Sequence, residues 1–186
     1  PTPFRACGLA VRETGGRFFI VALKGGASVP CSTMILLKNY FLNTTDGVDL
    51  LSVIHEVNRT LHEASVPDGL VTLSIPESGA GLVLLEPLPD ILEEFRKALQ
   101  IFPGEGVETL SRRKEEISVG PRIVAAMLGR TMSIPFKAGK LLIGAREEPI
   151  LIDLEKHGRR REFFVQILGE GGEQPQSPAR QGTARR

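Results

Sequence analysis

The chain has 186 residues, 41% hydrophobic and 24% charged, with a net charge of +1. That is enough for one domain with a real core and too little for two full-size ones. No apolar run approaches the roughly 20 residues of a membrane span, and Phe18–Leu23 stops at Lys24 without a cleavage-site pattern, which excludes a signal peptide and predicts a cytosolic protein.

The small net charge hides an asymmetry. Residues 1–33 carry four Lys/Arg and one Glu, residues 171–186 carry three Arg and one Glu, and residues 34–170 are left with −4. A nucleic-acid-binding domain concentrates positive charge on its fold, so nucleic acid is not expected as a partner, the basic tail being the one place that can offer it. Cys7 and Cys31 can pair, but a reducing cytosol favours free thiols. With no other Cys and three His, no metal site of the Cys/His kind and no cofactor are expected.

In chain order, residues 1–33 read as a poorly defined extension in which Arg17–Leu23 is strand-like between glycine pairs. Met34 is a candidate natural start, and Met34–Asn43 reads as a strand. Asp46 is placed to cap a helix, with Asp49 in its acidic first turn and Leu50, Leu51, Ile54, Val57 and Leu61 on one face. Asp68-Gly69 reads as a turn, and Val71, Leu73 and Ile75 alternate as a half-buried strand. Gly81–Leu85 is a second strand; Pro87 and Pro89 open a helix with Ile91, Leu92, Phe95, Leu99 and Phe102 on its buried stripe. Phe102-Pro103-Gly104 breaks that helix, residues 104–117 read as a polar loop, and Pro121–Leu128 is a short helix ending at Gly129.

Four strands follow, at Thr131–Phe136, Lys140–Gly144, Ile150–Leu154 and Glu162–Leu168, with short turns that predict antiparallel pairing between neighbours. Residues 171–186 have no apolar periodicity and are expected to be disordered. The layout predicts a single α+β domain over residues 34–170: a sandwich of largely antiparallel strands with two main helices and one short helix.

Three segments, ESGAGLVLLEP (77–87), AAMLGRTMSIPFKAGKLLIGA (125–145) and EKHGRRREFFVQILGE (155–170), resemble the YjbQ family, often described as secondary thiamine-phosphate synthases. The resemblance covers about Met34 to Glu170. It implies a small cytoplasmic homotrimer of YjbQ-like fold with a pocket at the subunit boundary. It also implies imidazoles that this sequence does not carry. Glu77 stands where the family's first His is expected, Ser78 matches a hydroxyl, and Glu86 retains an acid after Leu85 replaces Asn. Gly120 and Arg122 occupy the His positions before Met127-Leu128-Gly129, and Ala145-Arg146-Glu147 replaces Thr-Trp-Gln.

Neutral imidazole shuttles protons near pH 7, whereas Arg stays protonated and Glu is acidic unless strongly perturbed. The resemblance therefore implies a degenerate active site. Glu77, Ser78, Glu86 and Glu147 are the candidate catalytic groups. Arg122, Lys137, Lys140 and Arg146 are the candidate anion-binding groups, with Arg122 near a helix N-terminus and paired with Glu77. Two functions follow: a non-catalytic or altered homotrimer that binds a small phosphorylated ligand, or an enzyme of weak thiamine-phosphate synthase type using a re-tooled Arg/Glu pocket. His55 and His62, seven apart, are read as an exposed helix face, and Arg159-Arg160-Arg161 as guards of a strand edge.

Overall fold

The structure is a computed structural model that describes residues 8–14, 17–23, 32–101, 108–110 and 116–170. The tail 171–186, both cysteines, Phe102-Pro103-Gly104 and the Arg112-Arg113-Lys114 run lie outside the described residues.

Twelve strands and three helices are described: β1 (Gly8–Thr14), β2 (Arg17–Leu23), β3 (Ser32–Asn43), β4 (Asp49–Ser52), α1 (Ile54–Ala64), β5 (Asp68–Ser74), β6 (Ala80–Leu85), α2 (Pro89–Leu99), β7 (Glu108–Leu110), β8 (Glu116–Ser118), α3 (Val119–Leu128), β9 (Thr131–Lys137), β10 (Lys140–Leu141), β11 (Glu148–Asp153) and β12 (Arg160–Glu170). The large sheet has the order β1-β2-β3-β12-β5-β9-β10, and a small sheet has β4-β11-β6. Every pairing is antiparallel. This is an α+β fold, and no described helix is long and apolar enough to cross a membrane.

Alternation along the strands decides the layers. Met34 and Leu36, Val71 and Leu73, Ile134 and Phe136, and Phe163, Val165 and Ile167 are buried on one face of the large sheet. Val57, Leu61 and Ala64 of α1 pack there, as do Leu82 and Leu151 of the small sheet. The opposite face of β11 presents Ile150 and Ile152 to a second cluster that holds Leu99 of α2 and Val124 and Ala125 of α3. β11 is thus buried on both sides, which explains its unbroken apolar run.

Five expectations change. Asp46 caps no helix: its Oδ1 accepts the Gly158 N–H at 2.8 Å, while Asp49 accepts the Thr45 N–H at 2.8 Å. Leu50 and Leu51 belong to β4, paired with Ile152 and Leu151, so α1 starts only at Ile54. Asp68-Gly69 is no turn but the start of β5, where Gly69 faces Gly169 across the ladder. Of the four final strands only β9 and β10 pair with each other; β11 goes to the small sheet and β12 runs between β3 and β5. The polar loop contains the short β7–β8 pair.

Candidate functional site

Inward-facing positions of different strands meet at one end of the sandwich. Thr44 continues the inward parity of Met34 and Leu36, Asp153 that of Leu151, and Arg161 that of Phe163 and Val165, while Glu77, 42% exposed, follows β5 by three residues. These four side chains form one network. Arg161, fully buried, donates from Nε to Asp153 Oδ2 at 2.9 Å and from Nη2 to Asp153 Oδ1 at 2.6 Å. Its Nη1 reaches Glu77 Oε2 at 2.6 Å and the Ser78 carbonyl at 3.3 Å. The Thr44 hydroxyl donates to Asp153 Oδ2 at 2.7 Å, and the Glu155 N–H to Oδ1 at 3.1 Å.

Burial opposes the Asp153 charge, but hydrogen bonds from Arg161, Thr44 and the Glu155 backbone outweigh it and hold the carboxyl below its usual range. Burial likewise opposes the Arg161 charge, and the bonds to Asp153 and Glu77 outweigh that and raise its pKa.

Glu155 continues the group. Its carboxylate is only 8% exposed, with Oε1 3.1 Å from Arg122 Nη1 and Oε2 3.7 Å from Arg159 Nη2. The Arg122 approach is an ion pair by distance only: Nη1 donates instead to the Ser118 carbonyl at 2.9 Å, and Glu155 Oε1 accepts no hydrogen bond from any described residue. Gly79 makes room for this carboxylate. Its φ is +80°, and a Cβ there would sit 2.4 Å from Glu155 Oε1.

Beside Glu155 lies a cleft of about 200 Å³. Its floor is apolar, from Val48, Leu99, Val124 and Leu154, and its polar rim comes from Gln100, Ser118, Glu155 and Lys156. The first turn of α3 contributes Gly120 and Pro121 to its lining, which puts the positive end of the helix dipole beside the cleft. Lys156 is paired with Glu108 at 2.5 Å.

The predicted residues divide by place. Glu77, Ser78 and Arg122 all reach this end of the sandwich, but Glu77 pairs with Arg161 and Arg122 with Glu155, not with each other. Glu86 lies past the far end of β6, about 20 Å at strand rise from Ala80 beside Asp153, where it pairs with Arg146 at 3.4 Å. Glu147 there accepts the Gly144 N–H at 3.0 Å and closes a turn. Lys137 and Lys140 face each other on the exposed β9–β10 hairpin, at the end of β9 away from Ser74 and Glu77. The four cations therefore do not converge. The arginine run also differs from expectation: β12 is a central strand, so Arg161 guards no edge, and Arg160 stacks 4.0 Å over Phe41. Arg161, Asp153 and Glu155 are the site residues that sequence reasoning missed. The available signal was parity, since Arg161 stands two before Phe163 on an alternating strand. Among the described residues no group of three or more His, Cys, Asp or Glu is placed to hold a metal ion.

The profile described as "UPF0047 protein YjbQ-like" matches residues 38–170. The UPF0047 protein of Methanocaldococcus jannaschii is 23% identical over 137 residues, which span 73% of this chain and 96% of that protein. The UPF0047 protein of Archaeoglobus fulgidus is 25% identical over 124 residues, 64% of this chain and 92% of that one. Among solved structures, a YbjQ-like protein of unknown function from Sulfolobus solfataricus superposes with a TM-score of 0.68 at 20% identity, covering 74% of this chain and 99% of its own. A protein of the yjbq/upf0047 family from Clostridium acetobutylicum superposes at 0.61 with 23% identity, covering 70% and 98%. The likeness to the solved structures concerns the fold, while the profile match spans most of the chain: this protein belongs to the YjbQ/UPF0047 family.

Proposed function

We propose that this protein is a non-catalytic family member, a cytoplasmic homotrimer that binds a small phosphorylated ligand in the cleft at the start of α3. The observation that carries this reading is that Glu77 and Glu86, two of the candidate reactive groups, are each held in an ion pair with an arginine. Glu77 is held by Arg161 at 2.6 Å, and Arg122 lies between Glu155 and the Ser118 carbonyl. A general acid or base needs a free proton-accepting group poised near the working pH. Glu77 is instead occupied as an acceptor by the buried Arg161 guanidinium. Anion binding is supported by the α3 N-terminus, by Lys156 on the rim and by Arg122 at its edge.

Self-association is supported by the outer face of the large sheet. Ile35, Leu168, Leu70 and Pro135 face one another across β3, β12, β5 and β9 in one uncharged row pointing away from the core. Light scattering is expected to give about three times the 20.2 kDa chain mass; a monomer mass removes the trimer from the proposal.

Binding of inorganic phosphate or ethyl phosphate, followed by calorimetry, is expected to weaken about tenfold in Arg122→Ala, the loss of one charge-assisted contact. Unchanged binding would move the anion elsewhere. Rescue of a strain lacking thiamine-phosphate synthase would replace this reading with the enzymatic alternative, in which Arg122 and Glu77 work on substrate.

A further inference from the structure

The proposed anion site has an electrostatic problem that its own residues answer. Three guanidiniums, Arg122, Arg159 and Arg161, face three carboxylates, Glu77, Asp153 and Glu155, and Lys156 is matched by Glu108. Among the described residues the cluster is formally neutral, so a bare anion entering it finds no surplus positive charge there. It must draw Arg122 away from Glu155, which strands a buried carboxylate at a cost of the kind paid when one partner of a buried pair is removed.

The same carboxylate is already short of partners. Buried charges are ordinarily hydrogen-bonded, and a carboxylate offers about four acceptor positions. Glu155 is more than nine-tenths buried, yet its Oε1 accepts nothing from any described residue. It lies on the wall of the cleft, a few ångströms from the cation and helix end that suit an anion.

We infer that the ligand of this cleft carries a positively charged nitrogen beside its phosphate, as a phosphorylated primary amine does, and that Glu155 is the residue that selects for that nitrogen. This rests on the anion-binding reading above. The amine cancels about one of the negative charges that the phosphate brings, supplies the missing donor to Glu155 and replaces its contact with Arg122 as the guanidinium turns to the phosphate. The volume fits. About 200 Å³ is below the roughly 300–1,000 Å³ of sites for larger ligands and suits a molecule of a few carbons. Gly79 then has a role in recognition, because any side chain there would press on Glu155 and turn its Oε1 from the position that it holds.

The test compares phosphoethanolamine with ethyl phosphate, which differ by the amine alone, on the full chain by calorimetry. Phosphoethanolamine is expected to bind about tenfold tighter, the worth of one charge-assisted hydrogen bond. In Glu155→Gln that advantage should vanish while ethyl phosphate binds as well as before or better. Equal affinity of the two probes for the unsubstituted protein overturns the inference and leaves the anion reading standing, provided that Arg122→Ala still weakens both. An advantage that survives in Glu155→Gln also overturns it, since another group must then hold the amine. If neither probe binds, the anion reading fails and this one with it. Thermal melts of Glu155→Gln matching the parent protein would show that lost selectivity is not lost folding.

Discussion

Arg161→Met is expected to destabilise the fold by about 3–5 kcal/mol, the usual cost of removing one partner from a buried ion pair. The loss should exceed that of any surface arginine. Asp153, 1% exposed, would keep only Thr44 and a backbone N–H against its full charge. Urea unfolding measures it, and a midpoint within error of the parent would mean that Asp153 is not confined as described. The double variant Arg161→Met/Asp153→Leu separates charge from packing. Replacing a buried pair by apolar groups of similar volume is often neutral or better, so it should recover much of the loss.

The same pair fixes a pH dependence. The Asp153 carboxyl titrates below its unfolded value of about 3.9, so its contribution is fully present well above that value and disappears as pH falls through the lowered folded one. Acid unfolding of the parent should therefore steepen below about pH 5, and the double variant should lack that component.

Gly69→Val is expected to cost about 3 kcal/mol, at the upper end of overpacking. A Cβ at Gly69 would lie 2.1 Å from the Leu168 carbonyl oxygen, 2.8 Å from Gly169 Cα and 2.8 Å from Phe136 Cζ. The first two are backbone of the neighbouring strand and cannot turn aside as a side chain would. Gly139→Ala is the comparison: φ is +71° on the β9–β10 hairpin with nothing within 4 Å, so only the left-handed backbone cost, about 1 kcal/mol, is expected. Equal losses at the two positions would show that the β5–β12 ladder opens at little cost.

What could be read in advance follows the range of the forces involved. Val71, Leu73 and Ile75, the Pro-led start of α2 and the Gly129 end of α3 are local signals, and the structure contains them all. Leu50 and Leu51 misled because they extend the stripe of Val57 and Leu61 at helical spacing. They are strand because Leu151 and Ile152, a hundred residues later, pair with them. Arg161 misled for a similar reason. A basic run before a strand suggests an edge until the strand is known to lie between two others. The Glu77–Arg122 pairing failed on geometry alone: both residues reach the right end of the sandwich, but Arg161 and Glu155 are nearer partners that sequence distance conceals.

The place of β12 also governs how the chain can be made. Until residues 160–170 have left the ribosome, β3 and β5 each lack the neighbour that closes the large sheet, and both display unpaired backbone groups. Joining β3 to β12 closes a loop of more than a hundred residues, which is slow. From the emergence of residue 74 to that of residue 170 the growing chain therefore carries two open sticky borders, and it is over this stretch that it is most exposed to aggregation.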